Sequence, residues 1–434
     1  MAFPGHWTFP RALALAVALG ASGCQTVGTG PSGGTGPSGG TGPVSSVAVA
    51  TAVAPPGCQT GPAPSQPQLT GVRTTSLTVP AQPFGLVYAP TGHVAFAVLQ
   101  SALGVLSTDS ATPRLVRTIP LPAASVGKEG ATGITLTHDG SELLIAAGSG
   151  AIVVDTAKAA AGTPGAVLGT LTGTAGTSAI EVTVSPDDRY AFVSQEYGNA
   201  QTGHRGDIEV FDLRTAVRTG FGQAAQIGSL TLGDAVVGTA LSPDGRRLYA
   251  TSEVDPSTPP STPASTPAGS KHGEISVIDL PTLESTPGKA LLGSVAAGCE
   301  PVRVLPAPDG HTVWVTARGS NALLAFDADR LTTDPGHALL TSVQVGTAPV
   351  GLVLLQGGAR IVTADSDRFH TAGATTGLTV VDTRAALTGK PAALGRIPTG
   401  AFPREFALSP DATTLLVSDH DSDQIQAIDT ATLP

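Results

Sequence analysis

Apolar residues in this chain come in short runs broken by Gly, Pro, Asp and Ser, and one arrangement of them recurs. Its clearest copy runs Leu241-Ser242-Pro243-Asp244-Gly245-Arg246-Arg247-Leu248-Tyr249-Ala250-Thr251-Ser252 and, after an insert, closes with Gly273-Glu274-Ile275-Ser276-Val277-Ile278-Asp279. A Pro-Asp-Gly turn between two apolar runs predicts a hairpin, because Pro presets φ, Asp bonds its own backbone and Gly tolerates positive φ. Aligned on that turn, the anchors are Pro90, His138, Pro186, Pro243, Pro308, about Gln356, and Pro410, with spacings of 48, 48, 57, 65, 48 and 54. Seven units with a minimum spacing of 48 residues match four-stranded propeller blades, so the expected fold is all-β, a seven-bladed β-propeller of antiparallel blades over about 72–434.

Two further patterns refine this picture. The third strand of each unit is expected to end in an aspartate, Asp109, Asp155, Asp212, Asp279, Asp327, Asp382 or Asp429, and one per blade suits capping of the following turn. The seventh unit has three strands before Pro434, while Ser76-Leu77-Thr78-Val79 resembles the outer strand Ser229-Leu230-Thr231-Leu232. The N-terminal strand, about 72–79, is therefore expected to complete the last blade and leave no open edge in the ring.

Composition changes the picture mainly at the N-terminus. Arg11 precedes the apolar run Ala12 to Leu19, which is too short to span a bilayer and reads as a secretory signal over 1–23. Residues 24–71 are rich in Gly, Pro, Ser and Thr and read as a flexible tether with a reach of about 40 Å. The G-x-S-x-G and G-x-G-x-x-G matches inside it follow no strand and open no helix, so they carry no chemistry. A net charge of -10 without a Lys/Arg run argues against nucleic acid as a partner, since phosphate neutralisation needs clustered cations. The Pro/Ser/Thr run from Pro256 to Pro267 reads as an exposed insert.

Two resemblances can then be named. Gly20-Ala21-Ser22-Gly23-Cys24 resembles a bacterial lipobox, with Ala21 where Leu is usual, which implies an exported lipoprotein acylated at Cys24 and membrane contact through that anchor alone. Pro243 to Ser252 with Ile275 to Asp279, and Ile425-Gln426-Ala427-Ile428-Asp429, resemble the YVTN-type β-propeller repeat, with Ser252 or Asp419 in place of its final Asn. That superfamily includes lactonase-like enzymes and quinoprotein subunits beside proteins without catalysis, so the resemblance implies the fold and leaves the activity open.

Candidate chemistry gathers on one face of the expected ring. The second residue after each inner-strand start is Gly85, Gly133, Glu181, Gly238, Arg303, Gly351 and Glu405. Four glycines are expected to leave room at the channel mouth, with Glu181, Arg303 and Glu405 projecting into it. Glu300, Arg404, Glu196, Glu253, Arg318 and His420 share that face by register, as do inserts at about 195–207, 253–274 and 366–377. Three readings are open. Arg303 pairs with Glu181 or Glu405 to hold the mouth together; or Glu405, Glu300, Arg404, Arg318 and His420 help bind an anion; or Glu181 as base and Arg303 as anion stabiliser hydrolyse a lactone. Asp365-Ser366-Asp367 and Asp419-His420-Asp421-Ser422-Asp423 are weak metal candidates, departing from an EF-hand at Gln424 and Thr430. Cys58 and Cys299 form a candidate disulfide. The reading is a monomeric binding or scaffold module for a protein or small anionic ligand, with no cofactor, the lactonase-like hydrolase being the alternative.

Overall fold

The computed structural model describes residues 52–256 and 271–434. The signal segment, Cys24, the first part of the tether and most of the Pro256 to Pro267 insert lie outside the described residues. Seven four-stranded antiparallel sheets follow one another. Their inner strands are Pro83–Tyr88, Ala131–Leu136, Ser178–Val184, Asp234–Leu241, Pro301–Pro306, Pro349–Leu355 and Pro403–Leu408, opening blades one to seven. In blade seven the outer strand is Thr74–Thr78, paired antiparallel to Gln424–Asp429 with Ser76 opposite Gln426. The expected closure is the observed one, and an ion pair between Arg73 and Asp429 fastens it.

Burial explains why the ring holds. The strands alternate, so one face of each blade meets the preceding blade and the other the following one. Leu143, Ile145 and Ile152 of blade two pack with Phe96, Val98 and Leu103 of blade one. Leu416 and Ile425 of blade seven pack with Ala95, Ala97 and Leu106 of blade one in the same way. Every neighbouring pair thus shares a buried apolar layer, including the pair at the seam.

The turn chemistry follows the sequence pattern. Ser242 Oγ donates to Asp244 Oδ1 at 2.6 Å and accepts from Arg247 N at 2.9 Å, while Gly245 adopts φ 66°. The strand-ending aspartates cap short helices in blades two, three, four and six, as when Asp212 accepts from Thr215 N at 2.7 Å. Asp327 and Asp429 accept from the turns after their strands. Asp109 differs: it lies beyond its strand, Ala102–Ser107, and bonds His93 Nδ1 and Ser107 Oγ instead.

The tether boundary at residue 71 needs correction, because the described residues from Ala52 onward belong to the compact unit. The described part of that segment is a strap along blades five and six. Gln59 N donates to Gly319 O at 2.8 Å, Ala63 N to Thr347 Oγ1 at 2.9 Å, and Arg396 N to Pro67 O at 2.8 Å. Leu69 and Val72 pack on the layer between blades six and seven. A cross-link from Cys58 to Cys299 anchors the strap. Composition alone concealed this: several backbone groups find partners on the ring, which helps offset the ordering entropy that the segment's few apolar side chains cannot. No helix among the described residues is long and apolar enough to cross a membrane.

Candidate functional site

Each inner strand leaves regular register near its third residue, as between Pro301 and Val304 or Pro349 and Leu352. Hydroxyls on the second strands satisfy the displaced amides. Thr316 Oγ1 accepts from Arg303 N at 3.1 Å and donates to Val350 O of the next blade at 2.6 Å. Thr251 serves Gly238 N and Val302 O in the same way.

The glycines expected to open the channel mouth in fact let it close. A Cβ on Gly133 would stand 2.8 Å from Ile180 O, one on Gly238 2.3 Å from Val302 O, and one on Gly351 2.2 Å from Arg404 O. Each adjacent inner backbone comes too near for a side chain, so glycine is required by close approach. The charged residues of blades three, five and seven pass this crowded ring and meet at the axis. Arg303 Nη2 lies 2.5 Å from Glu405 Oε1 and Arg303 Nε 3.8 Å from Glu181 Oε2. Glu181 Oε2 also accepts from Thr239 N at 3.1 Å. Burial pushes the Glu181 carboxyl up to about 7 despite the attraction of Arg303, and the two glutamates hold Arg303 firmly charged.

A second ion cluster lies outside the first, between blades four and five. Arg318 Nη2 lies 2.8 Å from Glu253 Oε2 and 3.0 Å from Glu300 Oε2, with the Arg318 side chain 6% exposed. Glu300 reaches this position from a left-handed backbone, φ 47°. Burial raises the Glu253 carboxyl, partly offset by Arg318.

Arg404 is in a different situation. Its position in the repeat is held by Phe84, Thr132, Ile180, Val237, Val302 and Val350 in the other blades, and the apolar members of that set are buried together at the axis. The Arg404 guanidinium sits 3.6 Å from the Phe84 ring centre and 4.9 Å from that of Phe402. Its Nε is buried without a hydrogen-bond partner. Among the described residues no carboxylate pairs with it; Glu405 and Glu196 act on it at longer range. Burial pulls this guanidinium down to about 9, and Arg368 and Arg303 add to the effect. The group nevertheless stays charged at neutral pH.

Phe402, held at φ 52°, forms the second wall, and His420 packs edge-on against both Phe84 and Phe402. His420 Nδ1 donates to Pro83 O at 3.0 Å, joining blade seven to blade one. Burial, then the charge of Arg404, lower its imidazole, which is therefore neutral.

The insert of blade six reaches the same place. Arg368 of blade six lies 5.5 Å from the ring of Phe369 and 5.9 Å from that of Phe402. The Tyr197 phenol of blade three is pushed up to about 12, first by Glu196, then by burial and by Glu253, against the pull of Arg368. Arg205 Nη2 bonds Pro256 O at 3.1 Å, linking the inserts of blades three and four. The blade-six insert and the channel mouth thus share one face, as the register predicted.

Three of the candidate metal aspartates make hydrogen bonds within the protein. Asp365 is fully buried and accepts from Thr363 Oγ1 and Thr379 Oγ1 at 2.9 and 2.6 Å; Asp367 accepts from Thr371 N at 2.9 Å. Asp419 accepts from Gly400 N at 3.1 Å, and Asp421 and Asp423 lie in or beside the exposed turn His420–Ser422. Sequence reading named Arg404 and His420 but missed Phe84, Phe402, Arg368 and Phe369. The available signal was an Arg in an apolar column of the repeat, with Phe402 at a step where the other units carry Gln82, Gly130, Ser178, Ala235, Glu300 and Ala348.

No protein-family model matches this chain, and no curated protein matches it. Among solved structures, Kuenenia stuttgartiensis hydrazine synthase aligns with TM-score 0.59 and 15% identity over 84% of this chain and 99% of that one. A chain of the mitotic checkpoint complex aligns with TM-score 0.60 and 14% identity over 85% of this chain and 96% of that one. At such identity the likeness establishes the propeller fold and nothing of the activity.

Proposed function

We propose that the chain is an exported, lipid-anchored propeller of the YVTN type that binds a small ligand carrying a carboxylate or phosphate group at the channel mouth. Arg404 carries this reading. A guanidinium in an apolar column, stacked between Phe84 and Phe402 with a buried Nε lacking a partner, is costly to fold. An incoming anion supplies what it lacks, a charge-assisted hydrogen bond, while Arg368 adds positive charge and the aromatic rings accept an apolar body. Export is supported by the Cys58–Cys299 disulfide, since such bonds persist in oxidising compartments, and by the apolar run ahead of Cys24.

The experiment is a thermal-shift screen of small carboxylates and phosphates against wild type and Arg404→Met. A ligand that stabilises the wild type and leaves Arg404→Met unmoved supports the reading; a panel that moves neither, or both equally, counts against it. The hydrolase alternative draws on the Glu181 carboxyl near 7, within the range of a general base. Its weakness is that Glu181 already accepts from Thr239 N while Arg303 is held by Glu405. Lactone turnover abolished by Glu181→Gln would restore it.

A further inference from the structure

Away from the channel mouth, Cys58, His272 and Cys299 offer three ligand atoms within 4.8 Å of one another. Cys299 is buried at the end of the outer strand Leu291–Cys299 of blade four. His272 opens the neighbouring strand, His272–Asp279, and stands directly opposite Cys299 in the ladder. That pairing sets His272 Nδ1 3.7 Å from Cys299 Sγ. Two ligands of one tetrahedral zinc, at about 2.3 Å for sulfur and about 2.0 Å for nitrogen, stand roughly 3.5 Å apart. The sheet therefore already presents one sulfur and one nitrogen at the separation a zinc ion requires. Cys58, itself half-buried, brings the second sulfur on the strap, most of whose residues are exposed.

We propose that the reduced form of this cross-link is a zinc site, with the Cys58 and Cys299 thiolates and His272 Nδ1 as ligands, so that a metal holds the strap where the disulfide is absent. A dithiol reductant delivers two electrons and becomes a disulfide itself, the Cys58–Cys299 bond breaks, and each sulfur takes a proton. Zinc then displaces both protons to solvent. Thiolate and imidazole select this soft class of ion over calcium or magnesium. His272 is exposed, which leaves the fourth position to water. The inference is independent of anion binding at Arg404.

The test uses the full chain, reduced with a phosphine that is then removed, and zinc or cobalt as the probe. One equivalent of zinc is expected to bind the reduced protein and none the oxidised. Cobalt should give thiolate charge-transfer absorption. His272→Ala changes an exposed residue and should leave the fold intact, yet weaken zinc by more than the about 10- to 100-fold that an outer-shell change costs. Cys58→Ser should abolish the cobalt signal. Zinc should also protect residues 52–71 of the reduced protein from proteinase K. Equal zinc affinity in reduced and oxidised protein, unchanged affinity in His272→Ala, or a reduced strap cut as fast with zinc as without it would each overturn the proposal.

Discussion

Arg303 and Arg404 are next to each other at the axis and have opposite circumstances. Arg303 is bonded to Glu405, faces Glu181 and has its amide satisfied by Thr316. Arg404 has two aromatic rings and an unpartnered Nε. A charge whose partners are all present is explained by the fold; one without them is a cost that the fold alone does not account for. The contrast separates structural charge from the charge we assign to ligand binding, and it can be broken or sharpened by experiment.

The largest effect is expected at Arg303→Met. It strands Glu405 and leaves Glu181 without its cation, so unfolding free energy in urea should fall by about 3–5 kcal/mol. Next comes pH. Burial raises Glu181, Asp207, Asp365 and Asp419 to about 7 each. Carboxyls raised in the folded state bind more protons there than in the unfolded chain, so their stabilising contribution is full below the unfolded values and lost as pH rises through 7. The thermal midpoint should accordingly be higher at about pH 5 than at about pH 8; a midpoint that rises over that range would contradict the assignment. Thr316→Val removes the hydroxyl serving Arg303 N and Val350 O, at a cost of about 1–3 kcal/mol by denaturant titration. Glu181→Gln should cost the least, under about 1 kcal/mol near neutral pH, because an amide replaces a carboxyl that is already partly protonated.

The same contrast shows what the sequence could tell. The turn triplets, the seven-unit spacing and the borrowed outer strand were legible because each depends on local residues: Pro, Asp and Gly at a turn, or an apolar alternation of fixed length. The meeting of Glu181, Arg303 and Glu405 was legible in part, since counting along inner strands places them on one ring, though not which pair bonds. The glycines were misread, because a gap in the side-chain pattern looks alike whether it opens space or admits the neighbouring backbone. The strap was misread because its stability comes from bonds to Gly319, Thr347 and Arg396 far along the chain. The aromatic walls of Arg404 come from the start and end of the ring, Phe84 and Phe402, and meet only once it has closed.

The most direct measurement of the central claim is the unfolding free energy of Arg404→Met against wild type, in urea and without ligand. The account predicts a variant at least as stable as the wild type, since an apolar side chain restores the column held by Phe84, Ile180, Val237, Val302 and Val350. A loss of about 3–5 kcal/mol, matching Arg303→Met, would place Arg404 among the paired structural charges and contradict the role in binding that we propose for it.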